Sequence, residues 1–512
     1  MLLRLGAWLL LCACGAKTAP YIEELPPCES DAECDDGVFC DGREQCIEGR
    51  CRRGAPPDCA DMDPCTEDLC VEATRACDNP PVVVADDDRD GYYVLGLCGD
   101  DCDDHDPQVH PGADEVCNGK DDDCDLRIDE GASYMPEIAD TRLTFSDAAS
   151  GRGDAAWSPL TETWGVTYWD YTGSTSDVYF QQLAPNGVPV AEPELLTLAP
   201  GDAWGADILW NEEESQYAIV WQDRRDGVWE VYFNRLTAEG AKLAPDFRVT
   251  FAPHWSINPT LVWTGNEYMI AWQDWRHELT APDNFEIYVT FMDRDGFEIG
   301  DDIRVTFDDA NSEAPDLAMA DGFEPHGSEI GIAFVDGRTG VEQVWFTVVS
   351  LTGDVLVPAM RVSTSRTDAY APEVVWAGDA YLLAWQEQTE GGDFDIMGAR
   401  VARPSNAIEG PFAVAGGEPW ARRPRILHNG DELLIAYSDD RRGVYDMYAA
   451  VYDGRFMRLS EDIMVTRGPR DSVYGTLARG GTSVGVLFED QRDGNWEVYF
   501  TRLLCADPVL EP

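Results

Sequence analysis

Between residues 82 and 131 the chain carries 17 carboxylates against three basic side chains and four cysteines. Carboxylates at that density repel one another unless cations neutralise them. Cation binding is therefore the first chemistry the sequence offers. Asp86-x-Asp88-x-Asp90-Gly91-Tyr92 sets three carboxylates at alternate positions, followed by the glycine that lets a loop turn, which is how a calcium loop opens. Asp101, Asp103, Asp104 and Asp106 follow within reach, and Glu115, Asp121, Asp123 and Asp125 extend the candidate set, with Tyr92. A set made of oxygen ligands favours Ca²⁺, whereas Cu²⁺ or Zn²⁺ would call for imidazole or thiolate. His105 and His110 are the nearby imidazoles, and Cys98, Cys102, Cys117 and Cys124 read as cross-links that hold the loops. Calcium is the expected cofactor, copper the alternative, and a solvated acidic linker the bland reading.

Asp101 to Glu130 is similar to the metal-binding motif named after the copper-binding protein MopE, departing at Leu126-Arg127, where that family usually has a glycine. The resemblance implies a metal site; copper in a family's name does not make a ligand set. The Asp86 loop is no EF-hand, because its twelfth position is Leu97 where a bidentate glutamate is needed. An arrangement similar to thrombospondin type 3 repeats, with the later aspartates completing the shell, fits better.

The compartment follows from the N-terminus and the cysteines. Met1 to Arg4 and the apolar run Leu5 to Leu11 form a signal segment too short to span a bilayer. Leu11-Cys12-Ala13-Cys14-Gly15 resembles a bacterial lipobox, which implies cleavage after residue 13 and a lipid on Cys14. Residues 14–27 read as a linker. Residues 28–81 hold nine cysteines among Asp, Gly and Pro, a disulfide module of a chain exported to an oxidising compartment. Being odd in number, they leave one to pair with Cys505 or to stay free. A formal charge of −60 excludes a nucleic-acid partner bound through phosphates, and it leaves membrane contact to the lipid alone. The expected location is the bacterial outer membrane or cell surface.

Beyond residue 138 a repeat array takes over. Leu143-Thr144, Leu196-Thr197, Val249-Thr250, Val305-Thr306, Val362-Ser363, Val414-Ala415 and Val465-Thr466 recur at intervals of 51 to 57 residues. An aromatic two residues before an acid recurs in step, as in Trp221/Asp223 and Phe488/Asp490. Four short β-prone runs per copy predict an all-β, seven-bladed propeller over 138–505, with Thr141 to Phe145 returning to complete the last blade. Asp223-Arg224-Arg225-Asp226-Gly227 and its counterparts at Asp439 and Asp490 resemble the WD40-like repeats of TolB-type propellers, which implies the fold and no catalytic site. The spacing suits a hairpin in which Asp caps the turn, Gly takes φ > 0 and Arg reaches the acid on the returning strand. The other reading makes these arginines ligands for an anionic substrate, as in sialidases; their recurrence around the ring favours structure. Trp204, Trp255, Tyr370 and Trp420 share a face with these hairpins and form a candidate ligand face for a glycan or protein.

With no unique carboxylate pair and no arginine cluster beside a tyrosine to nominate, the sequence favours a non-enzymatic surface lipoprotein. In that reading a calcium-rigidified stalk presents the propeller to an unidentified protein or glycan. A propeller glycan hydrolase and a structural envelope component are the alternatives.

Overall fold

A computed structural model describes residues 26–61, 65–80, 86–95, 99–113, 121–125, 133–171, 173–197, 200–276, 284–320, 327–417, 420–429 and 432–506. The expected signal segment, Cys14, Cys98, Glu115 and Cys117 lie outside the described residues. No helix among the described residues is long and apolar enough to cross a membrane. The chain divides into two compact units, 1–111 and 112–512.

The first unit is held by covalent bonds in place of an apolar core. Among its described residues the regular structure is one 3-10 turn, Asp31–Glu33, and the two-stranded hairpins Gln45–Ile47/Arg50–Arg52 and Leu69–Val71/Ala76–Asp78. Disulfides join Cys28–Cys46, Cys34–Cys51, Cys40–Cys70 and Cys59–Cys77. The buried cluster is itself made of cysteines: Cys28, Cys34 and Cys51, with Cys46 against them. Cys65, Cys102, Cys124 and Cys505 are disulfide-bonded as well, so Cys505 is not a free thiol.

The second unit is the expected seven-bladed propeller. Six consecutive four-stranded antiparallel sheets run from Ser150–Ser158 to Ile463–Met464, and a seventh is built on Ser472–Gly480, Ser483–Asp490 and Glu497–Ala506. The first strand of each blade is innermost. These strands contact one another in chain order, and the seventh contacts the first. Closure removes the sheet edge that a linear array would expose. The closing segment comes in two pieces where one was expected: Ser133–Pro136 pairs with Leu503 to Ala506, and Thr141–Arg142 pairs with Tyr499 and Phe500. Between them Glu137 and Asp140 turn to Arg502 and Arg492, at 2.8 and 2.6 Å.

The repeated sequence elements now have physical reasons. The hydroxyl after the apolar residue bridges two strands: Thr250 Oγ1 accepts from Val231 N (2.9 Å) and donates to Glu230 (2.5 Å), and Thr306 and Thr144 do the same with Glu286 and Glu497. The aromatic before the acid is buried, and its indole reaches that acid, as in Trp272 Nε1 to Asp274 (2.7 Å). The Asp-x-Arg pairs are structural, with one correction. Arg225 does not reach Glu230 on the returning strand; it folds back onto Asp223 and bridges to Asp246 (3.0 Å). Arg248 of the outermost strand takes Glu230 instead (2.6 Å), because it lies directly alongside. Arg276, Arg441 and Arg492 repeat the first pattern with Asp302, Asp462 and Asp140.

Candidate functional site

Every innermost strand slips register at one place. The shifts fall between Gly151 and Asp154, Trp204 and Asp207, Ile257 and Thr260, Glu313 and Asp316, Tyr370 and Glu373, Arg422 and Arg425, and Val473 and Thr476. At each bulge one residue takes the left-handed conformation: Arg152, Gly205, Asn258, Ala314, Ala371, Arg423 and Tyr474, with φ from 32° to 60°. Bulges of this kind re-aim the side chains that follow them. Two residues on, Asp154, Asp207, Thr260, Asp316, Glu373, Arg425 and Thr476 form a ring lining one cavity of about 530 Å³ at the propeller's axis.

That ring holds four carboxylates and one guanidinium. Each acid is pinned by the neighbouring blade: Asp154 accepts from Ile208 N (3.3 Å) and Thr476 Oγ1 (2.6 Å), Asp207 from Leu261 N (3.1 Å), and Asp316 from Val374 N (2.7 Å). Burial first, and then the charge of neighbouring Asp154, push the Asp207 carboxyl well up. Burial likewise raises Asp316 and Glu373, against the pull of Arg425. Arg425 forms an ion pair with Glu373 and donates to Gly475 O (3.0 Å). Four carboxyls thus converge on one cavity, Asp207 raised by burial beside Asp154, and Glu373 raised by burial against Arg425.

The same cavity is lined by Arg152, Arg423 and Tyr474. The Arg423 guanidinium lies 3.6 Å from the Tyr474 ring centre and donates to its hydroxyl (2.6 Å), and Arg152 lies 5.3 Å from that ring. Arg422 stacks on Tyr445 at 3.6 Å, and its Nε is buried without a partner. Beside them Glu489 is buried and accepts Arg152 N (2.7 Å). Burial raises its carboxyl to about 7, although Arg152 and Arg423 pull the other way.

Of the expected ligand face, Tyr370 lines this cavity. Trp204 and Trp255 are exposed beside it in the chain, but they pack with other hairpin aromatics. Trp204 lies 5.2 Å from Trp229 and 6.1 Å from Trp169, and Trp255 lies 5.6 Å from Trp275. Trp420 is exposed, with its backbone N–H on Asp440 (3.0 Å).

The acidic loops are described unit by unit. In the first, Asp86, Asp88 and Asp90 each offer an oxygen within 4.8 Å of the other two. One oxygen of each closes a turn, accepting from Arg89 N, Asp90 N and Tyr92 N. The second oxygens of Asp88 and Asp90 are buried without a partner. Asp101 is wholly buried, hydrogen-bonded through its backbone to Tyr93 and Leu95, and its Oδ2 has no partner either. Burial and the charges of Asp90, Asp101 and Asp86 push the Asp88 carboxyl up. Asp104 is buried and accepts Asp87 N (3.3 Å); Asp106 accepts Gln108 N, and Asp103 and Asp106 stand outside the trio. His110 is stacked on Tyr92 at 4.4 Å, and His105 lies 3.9 Å from Asp87, so neither imidazole joins the three oxygens. In the second unit Asp121, Asp123 and Asp125 form a like group, again within 4.8 Å.

Residues 101–130 match the Cu-binding MopE family, described as a metal-binding motif. No curated protein matches the chain. Among solved structures it is similar to a thermostable family-43 glycoside hydrolase (13% identity, TM-score 0.34, covering 54% of this chain and 99% of that one). It is also similar to the family-93 α-L-arabinofuranosidase of Fusarium graminearum in complex with arabinobiose (11%, 0.41, 63% and 98%). A third is a puromycin-hydrolysing peptidase of Mycobacterium tuberculosis (13%, 0.45, 74% and 57%). These likenesses concern the fold. The expectation that the chain is not an enzyme rested on finding neither grouped carboxylates nor an arginine–tyrosine cluster, and that premise is corrected: the axial cavity contains both. A side-chain column that differs from blade to blade makes a unique site out of a repeated backbone.

Proposed function

We propose that the propeller is a glycan hydrolase whose chemistry lies in the axial cavity. The observation that carries this is the convergence of Asp154, Asp207, Asp316 and Glu373 on one axial cavity, with Glu373 ion-paired to Arg425. Glycoside cleavage needs one carboxyl that gives a proton to the leaving oxygen and one carboxylate that stabilises or attacks the sugar carbon or activates water. Asp207, raised by burial and by the Asp154 charge, supplies the proton. Glu373, paired to Arg425 and raised by burial to about 8, supplies the carboxylate in its deprotonated form. Arg152 and Arg423 at the Tyr474 ring orient the substrate. Asp207→Asn and Glu373→Gln should each lower kcat on a cleaved glycan by roughly 10²–10⁴-fold with the melting temperature kept. The assay is release of reducing ends from a polysaccharide panel together with chromogenic aryl glycosides. Turnover by wild-type protein no greater than that of the double variant would refute the assignment.

The reading extends to an exported chain anchored through lipid on Cys14, with the acidic loops holding Ca²⁺. Asp86, Asp88, Asp90 and Asp101 would bind one ion and Asp121, Asp123 and Asp125 another. Support comes from the donors, which are all carboxylate oxygens, and from the unpartnered buried oxygens of Asp88, Asp90 and Asp101.

A further inference from the structure

The cysteine-rich unit contains a third acidic group, used by neither site above. Asp36, Asp41 and Glu44 each offer a carboxylate oxygen within 4.8 Å of the other two. The local chain makes this meeting unavoidable. Asp36 Oδ1 accepts Val38 N (2.9 Å), which turns the backbone after Gly37. Two glycines then let a second segment cross: a Cβ on Gly42 would lie 2.3 Å from Ala55 O, and one on Gly54 would lie 2.2 Å from Arg43 O. The crossing buries Glu44, which is 6% exposed, and the Cys40–Cys70 and Cys28–Cys46 bonds flank it.

Buried carboxylates need partners, and these lack them. Glu44 Oε1 and Asp41 Oδ1 are both buried without a hydrogen-bond partner. Among the described residues the cation paired here is Arg53, at 3.9 Å and on the other oxygen of Asp41, and its side chain is 72% exposed. Three acids meet, two of them present unpartnered buried oxygens, and among the described residues no guanidinium is paired with those oxygens.

We propose that the cysteine-rich unit binds a calcium ion between Asp36, Asp41 and Glu44, separately from the acidic loops. Oxygen-only donors of mixed exposure suit a hard cation that keeps some water, with the affinity of extracellular modules, about 10⁻⁴ to 10⁻³ M. The ion locks the segment on which the exposed Arg43 sits between two ligands.

The Arg43–Glu44 bond reports on this directly. The full chain, disulfides intact, is digested with trypsin in calcium or in chelator, then reduced, and cleavage after Arg43 is followed by mass. At calcium about ten times the dissociation constant, cleavage that requires the open segment should slow by about tenfold. Glu44→Gln and Asp41→Asn should abolish that protection, and Asp88→Ala should leave it intact. Asp36→Asn alters the exposed ligand and guards against misfolding of the buried variants; it should weaken protection while the Cys28–Cys46 and Cys40–Cys70 bonds still form. Calcium-independent cleavage in the wild type, or equal protection in Glu44→Gln, would overturn the proposal.

Discussion

Glu489 occupies a position at which three other blades carry glutamine. Gln222, Gln273 and Gln386 accept the bulge N–H groups of Asn258, Ala314 and Arg423 at 2.8, 2.8 and 2.9 Å, and Glu489 does the same for Arg152 at 2.7 Å. Glutamine would keep that bond, so the carboxylate adds only its charge. Burial raises the group from 4.5 to about 7. A raised acid binds its proton more tightly in the folded state. Stability is therefore fullest below about pH 4.5, falls as pH rises towards 7, and is level above that. A difference of about 2.5 pK units at 1.36 kcal/mol each gives a loss of at most about 3 kcal/mol by pH 8. Glu489→Gln should remove it: the variant melts with the wild type at pH 4 and is more stable by up to about 3 kcal/mol at pH 8. Urea titrations followed by tryptophan fluorescence at pH 4, 5.5, 7 and 8 measure the gap. A gap that is the same at every pH, or a variant less stable than wild type at pH 8, would refute the reasoning. A cost retained where glutamine would serve suggests use, and the use at hand is the Arg152–Arg423–Tyr474 cluster beside it.

Two further outcomes concern residues that precede the propeller. Asp88→Ala should lower by one the number of calcium ions bound by the full chain in calorimetry, and chelator should lower the melting temperature of the first unit; no saturable heat would leave the acidic loops as a solvated linker, and tight Cu²⁺ binding lost on His105→Ala would favour copper. Cys14→Ser should move the protein from the membrane fraction to the soluble fraction, and a variant that stays with membranes would dispose of the lipid anchor.

The propeller was legible because its blades repeat the same physics. Leu143-Thr144 and its counterparts mark where the outermost strand leaves its neighbour, and the buried threonine bond between them is made of residue types that a reader can see. The hairpin arginines were half legible: that they are structural followed from recurrence, but their partners did not, since Asp246 and Asp302 lie far along the chain from the turn. The clustering of Asp86, Asp88 and Asp90 and of Asp121, Asp123 and Asp125 was legible because loop residues sit close in sequence, whereas that of Asp36, Asp41 and Glu44 was not, because a chain crossing makes it.

The axial site was missed for the opposite reason. Its residues are more than 50 positions apart, and strict alternation along the innermost strands is broken by the bulge at Arg152, Asn258, Ala314, Ala371, Arg423 and Tyr474, so no simple period of two points to them. A signal existed nonetheless. Eleven residues beyond the apolar member of each repeat pair stand Asp154, Asp207, Thr260, Asp316, Glu373, Arg425 and Thr476. Neighbouring columns are uniform because they build the blade; this one changes from acid to hydroxyl to arginine around the ring. Closed repeats supply seven equivalent backbone positions facing one axis, and a site is made by letting those positions differ. The column that breaks the repeat is therefore the place to look for chemistry, and here it brings four carboxyls and one guanidinium to a single cavity.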